Sequence, residues 1–315
     1  MHGVLAFAVG AWNSLAGVSL GALVVAVALH VGKLVAEARS WHGIVSHAHS
    51  PDEVRFRTTC AAFVGAIGAN AVLPARVGEA LRVGVVRRRV PGSNVVTLAA
   101  TIVLETGIEV AFGAAVIAAV VVGGRSFGSD GAAGALGPGL VAHPAVLIGL
   151  ACLAVVGAAV GLRVRDRART LASRMAAGFS IVRSPRAFAL RVLSWKFVAW
   201  ALRLGSVYAF LLAFHVPAAP WTALVVVAAQ SVAGSIPLLP GNAGTQQTAI
   251  GIALAGSASA ASLLGFGVGM QVATAAADLV IGVTALALVA DWRDLSAALA
   301  TLRLRRRARP LGSRA

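Results

Sequence analysis

The stretch TTCAAFVGAIGANAVLPARVGEALRVGVVRRR, residues 58–89, decides the fold. It is apolar from Thr58 to Leu73, is interrupted at Pro74 and Gly78, and ends in Arg87, Arg88 and Arg89. Another basic region, Lys33 to Arg57, precedes it. Short loops rich in Lys and Arg stay on the cytoplasmic side of a membrane. A single crossing here would strand the three arginines outside. A re-entrant hairpin, entered and left from the cytoplasmic face, removes the conflict. Proline takes away a backbone donor and breaks the helix, while glycine permits the turn. Such broken backbone is tolerated at membrane depth only where it is buried in protein or lines a watered cavity.

The pattern recurs. Leu73-Pro74-Ala75-Arg76-Val77-Gly78 and Leu239-Pro240-Gly241-Asn242-Ala243-Gly244 are both L-P-x-x-x-G, with Pro237 just ahead of the second. The second break divides the apolar pieces Thr222 to Ile236 and Thr245 to Ala255. Its flanks belong outside, because the next span must end at a basic tail, so it reads as a hairpin entered from the opposite face. Each hairpin has a span before it and one after, and the two sets run in opposite senses. That is the layout of an inverted repeat with its site between the halves.

Composition extends this reading to the whole chain. Of 315 residues, 58% are hydrophobic and 12% charged, with mean hydropathy +0.86, too little charge to cover a soluble domain of this size. Full spans are expected at about 10–31, 94–122, 142–161, 188–213 and 260–290. The first lacks a basic n-region and runs on to Lys33, so it reads as a retained span rather than a cleaved signal. The expected fold class is all-α: a polytopic helical membrane protein with about five full spans and two re-entrant hairpins, seven to eight hydrophobic segments in all. It forms one integral membrane domain over 1–315. A first repeat covers about 10–122, a linking span 142–161, a second repeat 188–290 and a basic cytoplasmic tail 291–315.

Net charge is +16, from 27 Lys and Arg against 11 Asp and Glu. The excess sits in short loops and the tail, notably between Arg163 and Arg186 and between Arg303 and Arg309. There it sets topology and attracts anionic lipid, not nucleic acid. The N-terminus is expected outside and the C-terminus in the cytoplasm, at a bacterial inner membrane. Cys60 and Cys152 fall in apolar segments and carry no redox or zinc signal. Trp41, Trp195, Trp221 and Trp292 read as interface anchors, and His42, His47 and His49 as solvated loop residues. No metal and no cofactor is expected.

The residues around the breaks also resemble a known family, the flippase-like membrane domain of lysylphosphatidylglycerol synthases, which also occurs as stand-alone membrane proteins. Asn70-Ala-Val-Leu-Pro-Ala-Arg-Val-Gly-Glu-Ala-Leu-Arg82 is similar to that family's N-x-x-L-P-x-R-x-G-E-x-x-R element. Ala100-Thr-Ile-Val-Leu-Glu105 follows where the family has V-x-E-R, and Leu239 to Gly244 resembles its L-P-G-G-x-G. This chain departs in three places: Thr106 stands where an arginine is usual, Gln246 and Gln247 where a glutamate is common, and Gln271 where an arginine is common. The resemblance implies the translocation half of such a system without the aminoacyl-transfer half.

The intramembrane polar residues are the candidate binding set. Arg76 and Glu79 flank the first break, where a guanidinium fork suits phosphate and a carboxylate orients it; an interfacial ion pair capping the half-helix is the plainer alternative. Arg82 and Arg87 to Arg89 read as topology determinants and lipid-surface anchors. Glu105 and Glu109 share one face of a span and must be paired, protonated or watered, with Arg76 the preferred partner. Asp278 is the candidate for their role in the second half. Lys196 and Arg203 lie seven apart on one face and suit a lipid phosphate or pair with the acids. Asn70, Asn242, Gln246 and Gln247 add uncharged donors and acceptors around the breaks, whose backbone is set by Pro74, Gly78, Pro237, Pro240, Gly241 and Gly244.

The expected function is a translocase, flipping an anionic phospholipid or a polyprenyl-phosphate-linked headgroup across the cytoplasmic membrane. No H-E-x-x-H or G-x-S-x-G motif is present, so an enzyme is not expected. The alternative is an accessory subunit supporting a partner synthase or glycosyltransferase; self-association into a homo-oligomer is left open.

Overall fold

The computed structural model describes residues 17–49, 53–72, 77–123, 175–234 and 244–289. The linking span, the break residues Pro74, Arg76, Pro237, Pro240, Gly241 and Asn242, and the basic tail lie outside them. The protein is an all-α polytopic membrane protein, and the described residues contain no strand. The main helices among the described residues are, in order, α1 (Leu20–Ala48), α2 (Phe56–Val72), α3 (Val77–Arg89), α4 (Val95–Gly123), α5 (Pro185–Ala213), α6 (Pro220–Gly234), α7 (Thr245–Ala253) and α8 (Ala260–Val289). Among the described residues α1, α4, α5 and α8 are long and apolar enough to cross a bilayer. Their outer faces stay apolar and uncovered: only 11% of the apolar window of α4 and 6% of that of α8 is buried in protein. Water would not tolerate such faces; lipid tails do.

The spans of α4, α5 and α8 fall where the sequence places them. The first does not. Its helix starts at Leu20, where extended backbone at Ser19 donates to the Ala213 carbonyl (2.9 Å), and it continues to Ala48 instead of ending near residue 31. The polar residues of its second half are accommodated rather than shed. Lys33 pairs with Glu37 one turn on (3.5 Å), and Arg39 covers the Phe56 ring. His42 and His47 therefore sit in a helix, not a loop, and His49 caps it. Trp41 is not an interface anchor. It is fully buried, donating from Nε1 to Thr101 Oγ1 (3.2 Å).

Packing follows small residues. α1 lies along α5, where Ser206 donates to the Ala26 carbonyl (2.8 Å). At the start of α5 a π-helical turn, Ala189–Leu193, displaces the regular ladder, and Ser40 donates to the Val192 carbonyl (3.2 Å). α2 packs on α8 backbone to backbone: a Cβ on Gly68 would stand 2.7 Å from the Asp278 carbonyl oxygen and 3.1 Å from Gly282 Cα. On the other side α6 packs on α4, with Gly113 against Ser231. α2 and α3 fold back on each other across four residues, Gly78 lying against Ala66 while its N–H donates to Asn70 Oδ1 (2.8 Å). α6 and α7 fold back likewise.

Candidate functional site

A chain of ion pairs runs through the middle of the helix bundle. Glu105 and Glu109 lie one turn apart on α4, Lys196 and Arg203 on the face of α5 that meets them, and Arg82 on α3. Arg82 Nη1 donates to Glu105 Oε2 (3.2 Å). Lys196 Nζ, with no exposed surface, donates to Glu105 Oε1 (3.0 Å) and Glu109 Oε2 (2.9 Å). Arg203 donates to Glu109 Oε1 (3.3 Å) and to Gln230 Oε1 on α6 (3.5 Å). Glu79, more exposed, closes the chain at 3.7 Å from Arg82. Three carboxylates thus face three cations, so the cluster is neutral as a whole. Neutrality is what an apolar surrounding demands of charges it cannot hydrate.

Arg82 is the main departure from expectation. It is 4% exposed, not a surface anchor, and its guanidinium lies 3.8 Å over the Trp41 ring and 4.5 Å over Phe63. These faces take the place of hydrogen bonds at its Nε and Nη2, which have no hydrogen-bond partner among the described residues. Arg87, Arg88 and Arg89, next along α3, are exposed as expected. The pairing of Glu105 and Glu109 with Arg76 falls on a residue outside the described set; within that set, Arg82, Lys196 and Arg203 hold these carboxylates.

A pair of uncharged groups has similar spacing. Arg82 and Glu105 are 23 residues apart, on the short helix α3 and the long helix α4 that follows. Gln247 and Gln271 are 24 apart, on the short helix α7 and the long helix α8 that follows. Gln247 Nε2 donates to Gln271 Oε1. Two of the three family departures therefore touch each other: an amide pair stands where an acid and an arginine are common. Gln247 Oε1 also accepts from the Gly244 N–H (2.7 Å), and Gly244 starts α7 at φ +85°, a conformation that favours glycine. The third departure, Thr106, faces outward from α4, away from the cluster.

Asp278 on α8 pairs with His30 on α1, Nε2 to Oδ1 at 2.8 Å. His30 was missed in sequence. The available signal was a titratable side chain inside the apolar run Leu20 to Val31.

Three concavities border these groups. A cleft of about 650 Å³ is lined by the polar side chains of Asn70, Gln246, Gln247, Gln271, Thr274 and Asp278 together with apolar ones. A smaller one of about 260 Å³ is lined by His30, Lys33, Arg203, Ser206 and Gln230. The two meet at Gln246 and Thr274, which line both. An apolar groove of about 440 Å³, bounded by Ile252, Leu263 and Leu264, adjoins the larger cleft at Gln247. Asn70, Gln246, Gln247, Arg203 and Asp278 thus come together at the clefts, whereas Lys196 and Glu105 are enclosed in the ion-pair chain. Among the described residues no group of three or more His, Cys, Asp or Glu is placed to hold a metal ion.

The family model of the lysylphosphatidylglycerol synthase TM region matches residues 3–282. No curated protein and no solved structure matches the chain.

Proposed function

The chain belongs to the family of the lysylphosphatidylglycerol synthase TM region, and from that premise we propose that it carries the head of an anionic lipid across the bilayer and catalyses no covalent reaction. Membership places it in a lipid-related role in the membrane; the translocation step is our reading. The observation that carries it is the junction of three unlike surfaces. Lys33 and Arg203 line the smaller cleft and suit a phosphate. The amides of the larger cleft suit the hydroxyls or amide groups of a headgroup, and the apolar groove beside Gln247 suits the start of a tail. Such a junction inside apolar helices fits an amphiphile and has little use for a free water-soluble ion.

The pairwise packing supports an inverted repeat. Exchanging α1–α4 for α5–α8 carries the α2–α8 contact onto the α6–α4 contact and leaves α1 on α5. In this reading the hairpins α2–α3 and α6–α7 are re-entrant from opposite faces, with the basic loops and tail in the cytoplasm of a bacterial cell. An anionic phospholipid or a polyprenyl-phosphate-linked head is the substrate class.

The test is a liposome assay with headgroup- and tail-labelled phosphatidylglycerol, quenched from outside. Wild type is expected to expose inner-leaflet label, and Arg76→Ala and Lys33→Gln to slow it. Absence of exchange in wild type, or rates unchanged in both variants, would count against the proposal.

A further inference from the structure

We propose that His30 and Asp278 together form a proton-binding site whose occupancy governs entry of the lipid head; its coupling role rests on the translocation reading, its proton chemistry does not. The two side chains lie 2.8 Å apart at 13% and 16% exposure, and they join α1 of the first half to α8 of the second. Every other carboxylate of the described long helices, Glu37, Glu105 and Glu109, is paired with Lys or Arg. Those cations keep their charge at any physiological pH, whereas histidine titrates within it. The tie between α4 and α5 is therefore permanent, and the tie between α1 and α8 changes with its proton.

The position of the pair gives the proton two routes. His30 lines the smaller cleft and Asp278 the larger, so a proton received through one can leave through the other along the hydrogen bond. With a neutral ring the pair carries one negative charge. A proton added to the ring nitrogen that Asp278 does not hold makes an imidazolium–carboxylate pair of zero net charge. Its loss from that same nitrogen restores the first state, and loss of the Nε2 proton through Asp278 instead leaves the other neutral tautomer, again with one negative charge.

The surroundings do not cancel this change. Lys33 and Arg203 share the cleft with His30, and each is paired with a carboxylate, Glu37 and Glu109. Asn70 of α2 and Gln246 and Gln247 of α7 line the Asp278 cleft without charge. α2 brings Arg57 in its first turn and the thiol of Cys60, and α6 and α7 bring no acid or base. A negative charge on Asp278 repels an anionic head, and protonation of His30 lifts that repulsion. Proton uptake admits the head and proton release expels it.

The experiment has two arms on the full chain in lipid. In the first, ¹⁵N imidazole spectra in nanodiscs follow His30, assigned by its loss in His30→Gln. Its response to pH should differ between wild type and Asp278→Asn, because Asp278 is its hydrogen-bond partner. An unchanged His30 titration overturns the proposal. In the second arm, liposomes with an entrapped pH dye and labelled phosphatidylglycerol should show proton movement with lipid exchange in wild type. Exchange in wild type that is indifferent to pH and moves no protons overturns the coupling without need of any variant. Should wild type exchange no lipid at all, the translocation reading fails, and the imidazole arm still decides whether the pair binds a proton with the affinity Asp278 confers.

Discussion

Lys196→Met tests whether charge neutrality holds the bundle together. The ammonium has no exposed surface and lies 3.0 Å from Glu105 and 2.9 Å from Glu109. At such separations attraction is roughly 5 kcal/mol per pair at an effective dielectric of about 20, hence about 10 kcal/mol for both. Removing the ammonium from water takes back several kcal/mol. Methionine fills the same volume but leaves Glu105, Glu109 and Glu79 facing only Arg82 and Arg203, one negative charge in excess. The expected loss is about 3–5 kcal/mol of unfolding free energy. Adding Glu109→Gln removes the excess charge and keeps a hydrogen-bonding group for Arg203, so it should recover about half of that loss or more. The assay is reversible unfolding in mixed micelles titrated with dodecyl sulfate, followed by far-ultraviolet circular dichroism. A Lys196→Met loss within about 0.5 kcal/mol of zero, the usual range of a surface substitution, refutes the reasoning. So does a double variant whose losses simply add.

Three further outcomes are expected from the same measurement. Gly68→Ala sets a Cβ 2.7 Å from the Asp278 carbonyl oxygen, a backbone atom that cannot move aside, and should cost about 1–3 kcal/mol; Gly107→Ala, open to 4 Å, should stay within about 0.5 kcal/mol. Gln247→Glu and Gln271→Arg should each destabilise by about 2 kcal/mol or more as lone charges, while the double variant recovers most of it through an ion pair at the same contact. Trp41→Phe keeps a ring under Arg82 and loses only the bond to Thr101, about 1 kcal/mol; Trp41→Ala also strips the guanidinium of its cover and should cost about 3–5 kcal/mol.

Much of the architecture was legible from local chemistry. An apolar run of span length needs no partner to announce itself, so α4, α5 and α8 lie where hydropathy puts them. The short helices α3 and α7 begin at the C-terminal end of each L-P-x-x-x-G, at Val77 and Thr245. The start and length of α1 were not legible. Lys33, Glu37, Arg39 and His42 look like the end of a span until their partners are in place. Arg82 was misread for the same reason: in sequence it is the first of a basic run, and its cover comes from Trp41 and Phe63 on two other helices.

Sequence alone thus determined that this chain lives in a membrane and which polar residues are out of place in lipid. Which of those residues meet was decided by tertiary structure alone. Lys196 lies 91 residues from Glu105, and His30 lies 248 from Asp278. The physical reason is that a charge in lipid advertises only that it must be compensated; helix rotation and the close approach allowed at Gly68 and Gly282 decide by whom.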